Sequence, residues 1–322
     1  MNELIINDIV QAMSAMLDCS QLKQLKGVLV QKLTRQVEPN ALSNGDLLKL
    51  FLQAKEVEGR SPKTLAYYKM TVTQLLSEIT KPLCQVTAND LRKYLNDYQV
   101  NNKVSKVTVD NIRRIFSSFF GWLEDEDYIV KSPVRRIRKV KAPEVVKDII
   151  GDEHMEQLRD ACRSVRDLAI IDLLASTGIR VGELIQLDRS DINLTERECI
   201  VKGKGDKQRK AYFDARAKLH LEAYLAIRDD NNPALFVSQN MPHHRLSSSG
   251  VELRLRNLGK QLDLPRVYPH KFRRTLATNA IDKGMPIEQV QKLLGHARID
   301  TTMHYALVSQ ANVKLSHRRY LG

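Results

Sequence analysis

Apolar residues recur at helical spacing through the first third of the chain, with polar residues between them. In residues 1 to 37, Leu4, Ile5, Ile9, Met13, Met16 and Leu17 follow this spacing and predict one or two amphipathic helices. A second helical region runs from about Ser43 to Ile129, and its start signals are explicit. "SPKTLAYYKMTVTQLLSEI" offers Ser61 as N-cap and Pro62 at the first helical position. "TANDLRKYLNDY" offers Thr87 and Asp90 as a capping box with Asp in the Glu position. "TVDNIRRIFSSFFGWLEDEDYI" predicts a helix starting at Thr108. Its residues Ile112, Ile115, Phe116, Phe119 and Trp122 lie at core spacing, so the aromatic stripe is assigned to a core and not to base stacking. These patterns predict a four- or five-helix domain over residues 43–130, preceded by a helical extension over 1–42.

The pattern then breaks. Lys131 to Lys141 holds six basic residues and no acid, bracketed by Pro133 and Pro143, and predicts a basic linker over 131–148. It is either a solvated tether or a segment crossing a DNA backbone, where each cation near a phosphate releases counterions. From Gly151 onward, "MEQLRDACRS" and "RDLAIIDLLAST" predict helices. "RECIVKGKGDKQRKAYF" predicts two short strands around a turn, and "ALFVS" a further short strand. The rest reads as helix. The expected architecture is mainly α with a small antiparallel β-sheet, in two domains, the second over 149–322.

Composition narrows the partners. The net charge is +13, which favours a polyanion, nucleic acid before an anionic membrane surface. Apolar residues make up 43% of the chain, enough for a sizeable core. No apolar run is long enough to span a bilayer, and the start does not read as a signal peptide. Cys19, Cys84, Cys162 and Cys199 are scattered, which fits reduced thiols in a cytoplasmic protein and not a zinc site.

Candidate chemistry gathers in the second region. "PHKFRRTLATNAIDKG" predicts a helix between Pro269 and Gly284. His270 and Arg273, three apart, share a face near its N-terminus, where an anion is already favoured. Gly295 closes the next helix, His296 follows it, and Asp300 reads as N-cap of a short helix presenting Tyr305. Upstream, "ASTGIRVGELIQL" breaks at Thr177-Gly178 and restarts near Arg180. A cation is disfavoured at a helix start unless an anion sits between it and the helix end. Glu183, one turn on, could orient that guanidinium. Lys204, between Gly203 and Gly205, lies at a hairpin tip and could hand a proton to a leaving oxygen.

Taken together, "TGIRVGEL", "GKG", "HKFRRT" and "LLGHARIDTTMHY", in that order, resemble the catalytic domain of tyrosine recombinases, the phage integrase and Xer-type site-specific recombinases. The resemblance covers residues 151 to 305 closely. It extends less specifically over 43–129, which is similar to the family's SAM-like core-binding domain. It implies a two-domain clamp on double-stranded DNA. It also implies roles for six residues: Arg180, Arg273 and His296 on the scissile phosphate, His270 assisting, Lys204 as acid and Tyr305 as nucleophile. Arg274 and His304 take no role from it. No metal or other cofactor is implied, because a phosphotyrosyl bond conserves the energy of the broken one.

The leading expectation is integration or excision of a mobile element by a homo-tetramer on DNA, with accessory DNA-bending proteins and a C-terminal tail swapped between protomers. Xer-type dimer resolution and a catalytically silent DNA-binding regulator are the alternatives. A relaxing topoisomerase using the same nucleophile would cut with little sequence preference. A metal-dependent nuclease would need a carboxylate and histidine cluster that the sequence does not display.

Overall fold

The computed structural model describes residues 2–33, 42–141, 148–203, 208–303 and 305. The chain divides into two compact units, Met1–Val145 and Val146–Gly322. Among the described residues no helix is long and apolar enough to cross a membrane.

The first unit is helical. α1 (Asn2–Met13) and α2 (Cys19–Leu33) pair with each other ahead of α3 (Asn44–Val57), α4 (Pro62–Glu78), α5 (Ala88–Asn102) and α6 (Lys106–Asp125). The starts obey the capping chemistry. Ser61 accepts from the Thr64 N–H with Pro62 in the first turn, and Thr87 and Asp90 form the reciprocal capping box. α6 begins two residues before the expected Thr108, because Ser105 caps it by accepting from the Thr108 N–H. Phe51, Phe116, Phe119 and Phe120 are fully buried and Trp122 nearly so, which places the aromatic stripe in the core. Burying each ring stabilises the fold by about 1.5–3 kcal/mol.

The basic stretch after α6 is not a free tether over its described part. Val134 is buried, and Ile137 and Val140 pack against the same core. Arg92 Nη2 donates to the Arg136 carbonyl at 2.9 Å, and the Val140 N–H donates to Asp110 at 3.0 Å. Apolar residues spaced among the cations hold the stretch down to Val140. Residues 142–147 lie outside the described residues.

The second unit is built around α8 (Val165–Thr177), most of which is buried. α7 (Asp152–Asp160) precedes it, and α9 (Val181–Gln186) follows after a single turn. The antiparallel sheet has the order β1 (Ile192–Asn193), β2 (Glu198–Lys202), β3 (Gln208–Tyr212). Cys199 opposes Ala211, and Val201 opposes Arg209. α10 (Ala215–Ala226), α11 (Ser248–Gln261), α12 (Pro269–Asp282), α13 (Ile287–Leu294) and α14 (Ile299–Met303) complete it.

One strand expectation needs correction. The third strand is β1, and "ALFVS" forms only isolated bridges, Asp188 with Ala234 and Val237 with Arg245. Its residues Ala234 to Val237 are buried, so their apolar run reflects burial and not a ladder. The two buried carboxylates of α8 are paired: Asp172 with Arg159 and His220, Asp167 with Arg166 and Arg254. Pairing is what makes a buried charge tolerable.

Candidate active site

The turn between α8 and α9 sets the first arginine. Gly178 takes φ +61, and a Cβ there would meet Leu276 Cδ2 at 2.8 Å, so only glycine fits. The chain then restarts with Arg180 as N-cap. Glu183, nearly buried, accepts from the Arg180 backbone N–H at 2.9 Å and from Arg180 Nη1 at 2.7 Å. One carboxylate therefore fixes both the backbone and the guanidinium of Arg180. The Arg180 side chain stays 46% exposed, open to an incoming group.

α12 starts with Pro269 in its first turn and carries His270 and Arg273. The shared face is only partly realised. His270 is exposed, whereas Arg273 is 1% exposed. Arg273 Nη1 donates to the Gly178 carbonyl at 2.8 Å and Nη2 to the Leu294 carbonyl at 2.6 Å. These carbonyls close α8 and α13, so a single guanidinium ties two helix ends to α12. Its Nε is buried and has no hydrogen-bond partner among the described residues. Burial, with Arg180 beside it, pushes Arg273 down to about 10. The neighbouring Arg274 donates to the Asp148 carbonyl at 3.1 Å, a structural contact.

Gly295 ends α13 at φ +66, and His296 follows it, buried. His296 Nδ1 lies 2.8 Å from the Thr302 hydroxyl on α14. Burial, then the nearby Arg273 and Arg180, pushes His296 down to about 4, so it is neutral at neutral pH. α14 starts at Ile299, which puts Asp300 in its first turn and not at the cap. Beyond it the Tyr305 ring stacks on His296 with centroids 5.9 Å apart, and its hydroxyl lies 3.5 Å from His270 Nε2. A cleft of about 610 Å³ opens here, lined among others by Arg180, Tyr268, His270 and Arg273.

The structure thus brings together five of the six expected site residues, Arg180, His270, Arg273, His296 and Tyr305. Lys204, His304 and the tail 306–322 lie outside the described residues. Two neighbours escaped sequence reasoning. Thr302, which no pattern in the sequence singles out, is fully buried and meets His296. Arg209, likewise not singled out, donates from Nη2 to Glu183 at 2.8 Å. Cations outnumber anions at the centre: three arginines face one carboxylate. Such a site is completed by an anion with several oxygens, and a phosphodiester meets that description. Among the described residues no group of histidine, cysteine and carboxylate side chains could hold a metal ion.

Comparison with known proteins agrees with this geometry. The model of the phage integrase family matches residues 148–312, and that of the phage integrase N-terminal SAM-like domain matches 47–129. Tyrosine recombinase XerA of Pyrococcus horikoshii is 28% identical over 279 residues, covering 86% of this chain and 94% of that protein. Tyrosine recombinase XerC of Staphylococcus aureus is 30% identical over 278 residues, covering 82% and 92%. Among solved structures, a Tn1549 transposon integrase in complex with a circular intermediate DNA shares the fold at TM-score 0.72 and 18% identity, covering 85% of this chain and 98% of that one. The chain belongs to the phage integrase family and is a tyrosine recombinase, an enzyme that cuts and rejoins DNA strands through a covalent protein–DNA intermediate.

Proposed function

We propose that Tyr305 is the nucleophile and that the scissile phosphate sits between it, Arg180 and Arg273. The observation that carries this is the Tyr305 ring stacked on His296 with its hydroxyl beside His270. The tyrosine oxygen bonds to phosphorus while the bond to the 5′ oxygen breaks, giving a 3′-phosphotyrosyl linkage and a 5′-hydroxyl. A free tyrosine has a pKa of about 10 and is a weak nucleophile at neutral pH. His270 assists its deprotonation. Arg180 and Arg273 stabilise the charge that builds on the non-bridging oxygens. His296 is neutral and donates from Nε2, which requires its Nδ1 to accept from the Thr302 hydroxyl. Rejoining is the same chemistry in reverse, with the 5′-hydroxyl of a second duplex attacking.

Lys204 completes the set as the general acid for the leaving 5′ oxygen. Its test uses a duplex returned by selection from a randomised library with the wild-type protein. Lys204→Ala should slow cleavage by about 10²–10⁴-fold, the range of a lost acid. A 5′-thio leaving group needs no proton and should restore most of the rate. Absence of rescue would remove Lys204 from that role.

Two duplexes, each cut on both strands, call for four protomers. The mass of the complex on the selected duplex, from sedimentation, should be that of four chains and two duplexes. A complex that stays at one or two chains during strand exchange would rule this out. The two biological purposes differ in DNA site and not in chemistry. The curated relatives named XerA and XerC are matched over 94% and 92% of their length, which favours the Xer-type purpose over mobile-element integration. Locating the selected site in the host genome separates them. A single chromosomal site fits dimer resolution, whereas sites at the ends of an element fit integration.

A further inference from the structure

We infer that Arg209 on β3 is a positioning residue for the cleavage step, acting through Glu183 on Arg180. Glu183 is shared by two guanidinium groups: Oε1 accepts from Arg180 at 2.7 Å and Oε2 from Arg209 at 2.8 Å. Oε2 also receives the Arg180 backbone N–H. The Arg209 side chain is 18% exposed and Glu183 5% exposed, so the pair is locked while Arg180 faces the cleft. Without Arg209 the Oε2 oxygen would be held by the Arg180 backbone N–H alone, and the carboxylate that orients the Arg180 guanidinium would be less firmly fixed. Arg209 fixes the far oxygen and so sets the direction in which Arg180 points.

A second contact ties Arg209 to the other half of the site. A Cβ on Gly295 would lie 2.6 Å from Arg209 Cδ, so the arginine stem fills the space that glycine leaves. His296 is the next residue. Arg209 therefore braces both the Arg180 turn and the His296 turn from the sheet. Its Nη2 is taken up by Glu183, and its own Nη1 is buried and unpartnered among the described residues. Burial lowers its pKa, with the carboxylate of Glu183 opposing. The geometry accounts for this cation by what it holds in place, Glu183 on one side and the Gly295 turn on the other.

This inference rests on the assignment of Arg180 to the scissile phosphate, and its test separates the two. Single-turnover cleavage of the library-selected duplex, nicked beside the scissile phosphate to trap the adduct, is measured for wild type, Arg209→Met, Arg180→Ala and the double variant. Misplacement of a reacting group by about 1 Å costs roughly 10²-fold. Arg209→Met should lose about that much rate, keep DNA affinity within about 2-fold, and cost less than about 3-fold when Arg180 is already Ala. Arg209→Lys, which keeps the charge near Glu183, should recover part of the loss and serves in place of Arg209→Met if that variant does not fold. An equal loss in both backgrounds would overturn the inference by showing a general structural role. A loss of affinity without loss of rate would overturn it in favour of a DNA contact. If Arg180→Ala itself cleaves at the wild-type rate, the assignment of Arg180 fails and the coupling fails with it.

Discussion

Replacing Tyr305 by Phe is expected to abolish the covalent protein–DNA adduct while leaving DNA affinity within about 2-fold of wild type. The substitution removes one oxygen and keeps the ring. The stacking on His296 and the packing against the cluster of Ala277, Val290 and Leu294 survive, so the fold of this region is preserved. The removed hydroxyl is 3.5 Å from His270 Nε2. Binding is set by contacts along the phosphate backbone and at base edges, of which a tyrosine hydroxyl is at most one. Electrophoresis in SDS with labelled duplex measures the adduct, and titration of the same duplex measures affinity. Loss of affinity together with the adduct would mean that Tyr305 organises the binding surface instead of attacking.

The second large effect belongs to Arg273. Arg273→Ala should lower the cleavage rate by about 10³-fold or more, the range in which an arginine on a reacting phosphoryl group operates. It should also destabilise the catalytic unit. The Gly178 and Leu294 carbonyls would each lose a donor, and an orphaned buried acceptor costs about 1–3 kcal/mol. Two effects in one variant are separable with Arg273→Lys, which keeps the charge but loses the planar fork that spans both carbonyls. The lysine variant should fold at higher temperature than the alanine one and still cleave more than about 10²-fold slower than wild type. Thermal melts and single-turnover rates on the same preparations read the two separately. A near wild-type cleavage rate in both variants would take Arg273 out of the reaction.

Most of the site's framework was legible in the chain because it is local. A glycine at the end of a helical pattern, a cap at the start of the next, and a histidine three residues before an arginine are all read within a few positions. The structure bears out the helix ends at Gly178 and Gly295, the restart at Arg180 and Glu183 on its guanidinium. What was hidden is non-local. Arg209 lies 26 residues from Glu183, and a strand pattern of alternating polar residues gives no reason to single it out. Thr302 sits in a five-residue helix and is buried where its hydroxyl meets His296, outside that helix. The inward turn of Arg273 was invisible for the same reason. Helical spacing put it on the same face as His270, but the carbonyls that draw it inward belong to other helices. The basic stretch after α6 misled in the opposite direction. Charge dominated its composition, while Val134, Ile137 and Val140 decided its placement.

In the proposed reaction Tyr305 bonds to the 3′ phosphate of the cut strand. Digesting the SDS-trapped adduct and sequencing its DNA-bearing peptide by mass spectrometry tests this most directly, together with labelling of the other strand end. The expected result is a single modified peptide with the nucleotide on Tyr305, and a free 5′-hydroxyl that a polynucleotide kinase labels without prior phosphatase. A nucleotide on any other residue, or a cut whose 3′ end carries no protein, would contradict it.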